Sequence, residues 1–336
     1  MAVKTRRWVR RVVAAMVVLI AVGVALWFMP TPYVVVAPGI TGDLKQMVQV
    51  QGGHPPGPGR MLMVAVTLAR ANELVYLAAH IDPALELLPA QEATGGLNMQ
   101  QYEQYNLNLM QQSQLAAEVA GERLAGLDAR MVTTPGALVA GVLQGPAKGV
   151  LKPGDRIVQL GPYTVKSYDQ VRTVLADHFK VGQIVPITVV RNRETLVLPV
   201  KTIHLANDPA PAIGVLISPD VNFIIPRKVT IQANGIGGPS AGMMFALEIY
   251  EQITGKNLAR GRVVAGTGEI TASGQVEAIG GIAQKVITVH QAGATVFLCP
   301  TANYAKAKAT AARFGYHMQI YPVSTLQEAL ADLERG

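Results

Sequence analysis

A single cysteine, Cys299, among 336 residues excludes an intramolecular disulfide. It follows Val296-Phe297-Leu298 in a strand-like run and reads as a small buried hydrophobe. The six histidines are scattered, and no pair of Cys or His residues has metal-ligand spacing, so neither a metal nor a cofactor is expected. Charge is scarce: 15% of residues carry one while 50% are hydrophobic, which fits a folded chain with a membrane segment and excludes a disordered one. The formal net charge is +7, but Lys4, Arg6, Arg7, Arg10 and Arg11 contribute five charges ahead of any folded domain. What remains is about neutral, so no nucleic-acid surface is expected. A phosphate loop of the form G-x-x-x-x-G-K-[ST] is missing too. Thr254-Gly255-Lys256-Asn257 lacks both the upstream glycine and the final hydroxyl residue.

Long apolar runs are few, and the first is at the start. Val12 to Met29 is uncharged, mostly apolar and closed by Pro30. At about 1.5 Å per residue it reaches ~27 Å, enough to span a bilayer. A cleaved signal peptide is the alternative, but Leu26-Trp27-Phe28-Met29 offers no small-x-small cleavage pattern, and Trp27 suits a membrane interface. Residues 1–30 are therefore expected to be a basic flank and one uncleaved transmembrane helix. The N-terminus would be cytoplasmic, and everything after Pro30 would lie outside the cytoplasm of a bacterial-type cell membrane.

The length leaves room for two or three domains. Residues 31–127 hold strand-like runs (Tyr33 to Val36, Met61 to Leu68), a Gly/Pro-rich loop from Gly52 to Gly59, and a glutamine-rich helix over 99–125. They read as a β-rich juxtamembrane module plus a helix, with no legible function. Over 128–205 the signals are short strands, a turn at Leu151-Lys152-Pro153-Gly154-Asp155 and a helix from Tyr168 to His178. Asn207-Asp208-Pro209-Ala210-Pro211 reads as a linker. Residues 206–336 then alternate strands with helices, a mixed α/β pattern.

The chemistry gathers in that last segment. In Gly237-Gly238-Pro239-Ser240-Ala241-Gly242 a glycine-rich turn joins a strand to a helix, so Ser240 sits where free N–H groups and the helix dipole collect. Ser240 either caps the helix or is a nucleophile beside oxyanion donors in the Gly238, Pro239, Ser240, Ala241 region. Further on, Ile282, Val286 and Val289 form the apolar stripe of a helix ending near Gly293, and Lys285 falls inside that stripe. A lysine there either snorkels or is buried as a base. With Ser240, it points to a Ser–Lys dyad.

Ser240, Gly266-Thr267-Gly268-Glu269-Ile270-Thr271, Gly274-Gln275-Val276, Ile279-Gly280-Gly281, Lys285 and His290-Gln291-Ala292-Gly293 follow one another in an order that resembles the proteolytic domain of Lon proteases. The resemblance implies Ser240 as nucleophile, Lys285 as general base and Thr267 as the hydroxyl that orients the lysine. It also implies a homo-oligomer. Classical Lon proteases carry an acidic residue where this chain has Gly237; Ile236-Gly237-Gly238-Pro239-Ser240 is closer to membrane-anchored Lon-like proteases with a PDZ domain (YlbL type). Residues 128–205 resemble such a PDZ domain, whose peptide-binding loop is expected near Thr134, Gly136, Ala137 and Leu138.

The expected fold class is thus α/β (mixed α+β) and multidomain. The expected function is ATP-independent serine endopeptidase action on unfolded or membrane-associated protein and peptide substrates, selected by the PDZ-like domain. Two rivals remain. One is an inactive membrane-anchored PDZ scaffold. The other is a Ser–His–acid esterase, since Gly238-Pro239-Ser240-Ala241-Gly242 fits G-x-S-x-G, with Glu277 and His290 or His317 as partners.

Overall fold

The computed structural model describes residues 2–335 apart from 206 and 207, with side chains described from 13 onward apart from 205–209. In chain order, α1 (Ala2–Phe28) leads to β1 (Pro30–Asp43), α2 (Leu44–Met47), β2 (Val48–Val50), β3 (Arg60–Asn72), α3 (Glu73–Ala79), β4 (Glu86–Pro89), α4 (Ala90–Thr94) and α5 (Met99–Leu124). Next come β5 (Arg130–Val142), β6 (Arg156–Leu160), β7 (Tyr163–Thr164), α6 (Tyr168–His178), β8 (Ile184–Arg191) and β9 (Glu194–Lys201). After these lie β10 (Ile203–Leu205), β11 (Asp208–Ala212), β12 (Val215–Ile224) and β13 (Val229–Ile231). The rest is α7 (Gly242–Thr254), β14 (Val263–Gly266), β15 (Glu269–Ile270), β16 (Val276–Glu277), α8 (Ile282–Gln291), β17 (Val296–Pro300), α9 (Thr301–Arg313), β18 (Gln319–Val323) and α10 (Leu326–Arg335).

Two units result. Everything up to Arg130 joins everything from Ile225 in one, and Met131–Ile224 forms the other. In the first unit a six-stranded sheet runs β18-β17-β14-β3-β1-β4. Its middle joins distant parts of the chain. Ala265 of β14 pairs in parallel with Leu62 of β3 on one side and with Phe297 of β17 on the other.

The two faces of that sheet follow from the two-residue period of β3. Met61 and Met63 face one core with Phe245 and Leu247 of α7 and Ala117 of α5. Leu62 and Val64 face the other, with Ile282, Val286 and Val289 of α8. These side chains are at most 2% exposed, and each of the larger ones contributes roughly 1.5–3 kcal/mol by leaving water. Helices thus cover both faces. Close approach of α5 to α7 depends on Gly121, where a Cβ would lie 2.6 Å from the carbonyl oxygen of Ala246.

The second unit is a sheet of order β12-β5-β6-β8-β9, with β7 on β6 and the helix α6. Val185, Ile187 and Val189, alternate residues of β8, fill its core with Ile157, Leu160 and Leu175. Asp155, 1% exposed, is gripped by Arg191 through Nε and Nη2 at 2.6 and 2.7 Å and by the Lys152 amide at 2.8 Å.

Several expectations change. Residues 31–127 are not a separate module, because their strands are central to the sheet that β14 and β17 complete. The span expected as 128–205 continues to Ile224, since β12 pairs with β5. Of the expected linker, Asn207 lies outside the described residues, while His204 pairs with Pro211 between β10 and β11. The basic side chains Lys4 to Arg11 also lie outside the described residues. From Val13 onward α1 exposes large apolar side chains, Val17, Leu19 and Phe28 among them. Among the described residues no helix is long and apolar enough to cross a membrane.

Candidate active site

The turn before α7, the residue after β14 and the first turn of α8 meet at Ser240. Lys285 extends from α8 inside the apolar stripe and is 2% exposed. Its Nζ lies 2.7 Å from Ser240 Oγ and 2.8 Å from Thr267 Oγ1. Both partners are hydroxyls, so no carboxylate holds the proton, and burial pushes the ammonium down to about 7. The neutral amine is therefore accessible near neutral pH, and its lone pair can accept the Ser240 proton.

Thr267 is fully buried and closes the triangle, its hydroxyl donating at 3.1 Å to the carbonyl oxygen of Ser240. The Gly268 amide donates to the same oxygen at 2.8 Å. The backbone of the serine is therefore fixed while its side chain faces the amine.

Ser240 does not cap α7. The N-cap is Ala241, and no side chain bonds there. Nor do all four residues of the expected oxyanion region donate. Pro239 has no N–H, and the Gly238 amide, at φ +88°, is spent on the carbonyl of Asn106 at 2.8 Å. That leaves the amides of Ser240 and Ala241, neither of which has a hydrogen-bond partner among the described residues. The histidines of the esterase alternative are elsewhere: His290 stacks on Tyr316 at 3.7 Å and His317 is exposed, and neither bonds Ser240.

Ser240 and Lys285 open into a cleft of about 380 Å³. Its apolar walls include Val36, Val66, Leu68 and Leu88, with Tyr102 and Asn106 of α5 opposite. A second hollow of about 320 Å³ continues past Val66, Leu68 and Tyr102 to Met99 and Leu107. None of these wall residues was assigned to the site from sequence, although Met99 and Tyr102 read there as a contact or packing surface of the helix. The wall residues lie more than 130 positions before Ser240 and carry no motif, being apolar apart from Tyr102 and Asn106.

Thr134, Gly136, Ala137 and Leu138 are not a peptide-binding loop. They lie inside β5, where Ala137 and Leu138 pair with Ile157 and Arg156 and the Gly136 amide donates to Lys166. Amides used in a ladder cannot receive a carboxylate. The second unit has a groove elsewhere, about 230 Å³, between α6 (Val171, Leu175) and Ala212 to Ile217 along the edge strand β12.

Comparison with known proteins agrees with the carboxy-terminal geometry. Residues 228–334 match the Lon protease (S16) C-terminal proteolytic domain. Lon protease 1 of Sorangium cellulosum (strain So ce56) is 39% identical over 94 residues, 28% of this chain and 11% of that protein. The Lon protease of Methanosarcina barkeri is 33% identical over 115 residues, 34% of this chain and 14% of that protein. The chain thus spans only 11–14% of the length of these relatives. Among solved structures, the PDZ domain of the SdrC-like protein from Listeria monocytogenes is 26% identical, with a TM-score of 0.24, covering 26% of this chain and 90% of that one. Residues 228–334 are thus similar to the proteolytic domain of Lon-type serine peptidases, over about a third of this chain.

Proposed function

We propose that this protein is a membrane-anchored, ATP-independent endopeptidase that uses a Ser240–Lys285 dyad on unfolded or membrane-associated polypeptides outside the cytoplasm. The observation that carries the reading is a lysine 2% exposed, without a counter-ion among the described residues, 2.7 Å from a serine hydroxyl in a segment that matches a Lon-type domain. Neutral Lys285 takes the Ser240 proton as Oγ attacks the scissile carbonyl, forming a tetrahedral intermediate. The amides of Ser240 and Ala241 stabilise the oxyanion. The Lys285 ammonium then protonates the leaving amine, and the acyl-enzyme forms. Lys285 next removes a proton from water as it attacks the ester, then passes that proton to Ser240 Oγ as the C–Oγ bond breaks, restoring the hydroxyl and the neutral amine. Thr267 accepts from the amine throughout and keeps it aimed at Oγ.

Supporting the anchor are the exposed apolar side chains of α1 and the basic residues before them. Selection by the second unit is assigned to the groove beside α6, where an extended peptide would add to the β12 edge. ATP independence follows the missing phosphate loop. A homo-oligomer belongs to the same proposal through the Lon-type domain alone.

The test is hydrolysis of an unstructured protein by the full chain in lipid nanodiscs without ATP. The wild type should cleave and Ser240→Ala should not; equal rates would remove the dyad. Protease added outside intact cells should digest the chain beyond Pro30, while a released, soluble body would remove the anchor.

A further inference from the structure

Ser113 is a polar residue on the apolar, inward face of α5, between Met110 and Ala117, and is 4% exposed. A serine within a helix usually bonds a carbonyl of its own preceding turn. Ser113 Oγ instead donates across to the carbonyl oxygen of Pro239, at 2.8 Å. Seven residues earlier, on the same face of α5, the Asn106 carbonyl accepts the Gly238 amide. Two positions of one helix therefore grip Gly238 and Pro239, the two residues before Ser240. The approach requires Gly242, because a Cβ there would lie 2.4 Å from Ser113 Oγ.

The held carbonyl belongs to the same planar peptide as the Ser240 amide. In a trans peptide C=O and N–H point in opposite directions, so fixing one aims the other. On the far side of Ser240, Gly268 and Thr267 already fix its own carbonyl. The preceding plane is held from two sides: Ser113 of α5 donates to the Pro239 oxygen at 2.8 Å, and the Gly242 amide donates to the same oxygen at a longer 3.2 Å.

We infer that Ser113 is a positioning residue: through Pro239 it aims the Ser240 N–H at the oxyanion of the reaction proposed above, on which this inference rests. It touches neither Lys285 nor substrate. Its loss should lower turnover through transition-state stabilisation, leaving ground-state binding and the titration of the amine alone.

The experiment compares full-chain wild type, Ser240→Ala, Ser113→Ala, Ser113→Thr and Ser113→Val on one fluorogenic peptide, with melting temperatures. Ser113→Ala should lower kcat roughly tenfold to a hundredfold, less than losing an oxyanion donor outright. KM and the pH midpoint near 7 should stay put. Thr keeps the hydroxyl and should restore kcat, whereas Val, its isostere without one, should not. If Ser113→Ala matches wild type, or Val performs as well as Thr, or the pH midpoint moves with kcat, the inference falls while the dyad stands. If Ser113→Ala melts far lower, the Thr and Val pair alone decides by the same criterion. If wild type and Ser240→Ala cleave equally, the dyad itself falls, and this inference with it.

Discussion

Residues 225–336 and residues 30–130 build one unit by different means. The first segment supplies Ser240, Thr267 and Lys285, groups whose chemistry tolerates few replacements. The second supplies Val36, Val66, Leu68 and Tyr102 to the cleft and the Asn106 and Ser113 contacts to the serine turn. Apart from Ser113, these act by volume, apolarity or a backbone atom, properties that many residue types share. The motif thus marks where the proposed reaction would occur and leaves unmarked what shapes the site around it.

The largest expected effect sharpens the contrast from the chemical side. Lys285→Met keeps length and apolar volume but has no basic nitrogen, so proteolysis should fall at least about a thousandfold, to the assay floor. Burial lowers the amine to about 7 from an ordinary 10.5. Between those values the unfolded chain binds the proton that the native chain has lost, so this group makes stability rise with pH across that window. Its cost is greatest below about 7 and vanishes above about 10.5. Lys285→Met should therefore melt no lower than wild type near neutrality, with a flatter profile between pH 7 and 10.5 in pH-dependent calorimetry. Activity of the wild type should rise with pH through about 7.

A second substitution separates the two units. Burial raises the Asp155 carboxyl, but hydrogen bonds from Arg191 and the Lys152 amide outweigh it and hold the group below its ordinary value. Arg191→Ala would leave the Asp155 carboxylate without its ion-pair partner and lower the stability of this unit. Residues 131–224 should lose protection in hydrogen exchange, while hydrolysis of a short peptide at the Ser240 cleft stays near wild type. In the wild type this pair contributes stability above the ordinary carboxylate pKa, and it is lost as pH falls through the depressed one. Loss of short-peptide hydrolysis in Arg191→Ala would show that the catalytic unit depends on its insert.

The smallest effect is structural. Alanine is normally the better residue in a helix by about 1 kcal/mol. At Gly121, however, a Cβ meets the Ala246 carbonyl at 2.6 Å, so α5 must move off α7. Gly121→Ala should lower stability by about 1–3 kcal/mol in urea titration. A stabilised Gly121→Ala protein would show that α5 is not held as closely as the contact implies.

The sequence by itself determined what local periodicity and local chemistry can specify. The helix from Ile282 and the strand from Ile184 follow from spacing, the Ser240 and Lys285 pair follows from local pattern within 45 positions, and Thr267 enters only through the resemblance to Lon proteolytic domains. The tertiary structure alone decided that residues 30–130 complete the same sheet, because strand pairing between Leu62 and Ala265 leaves no trace in either strand's own pattern. It alone decided which amides are free at Ser240, since the Gly238 donor is taken by a helix more than a hundred residues earlier. The peptide loop expected at Thr134 to Leu138 proved to be the interior of β5 for the same reason. Whether a backbone amide is available depends on its partner across the fold, and the partner's identity is a property of three-dimensional packing, not of the residues on either side.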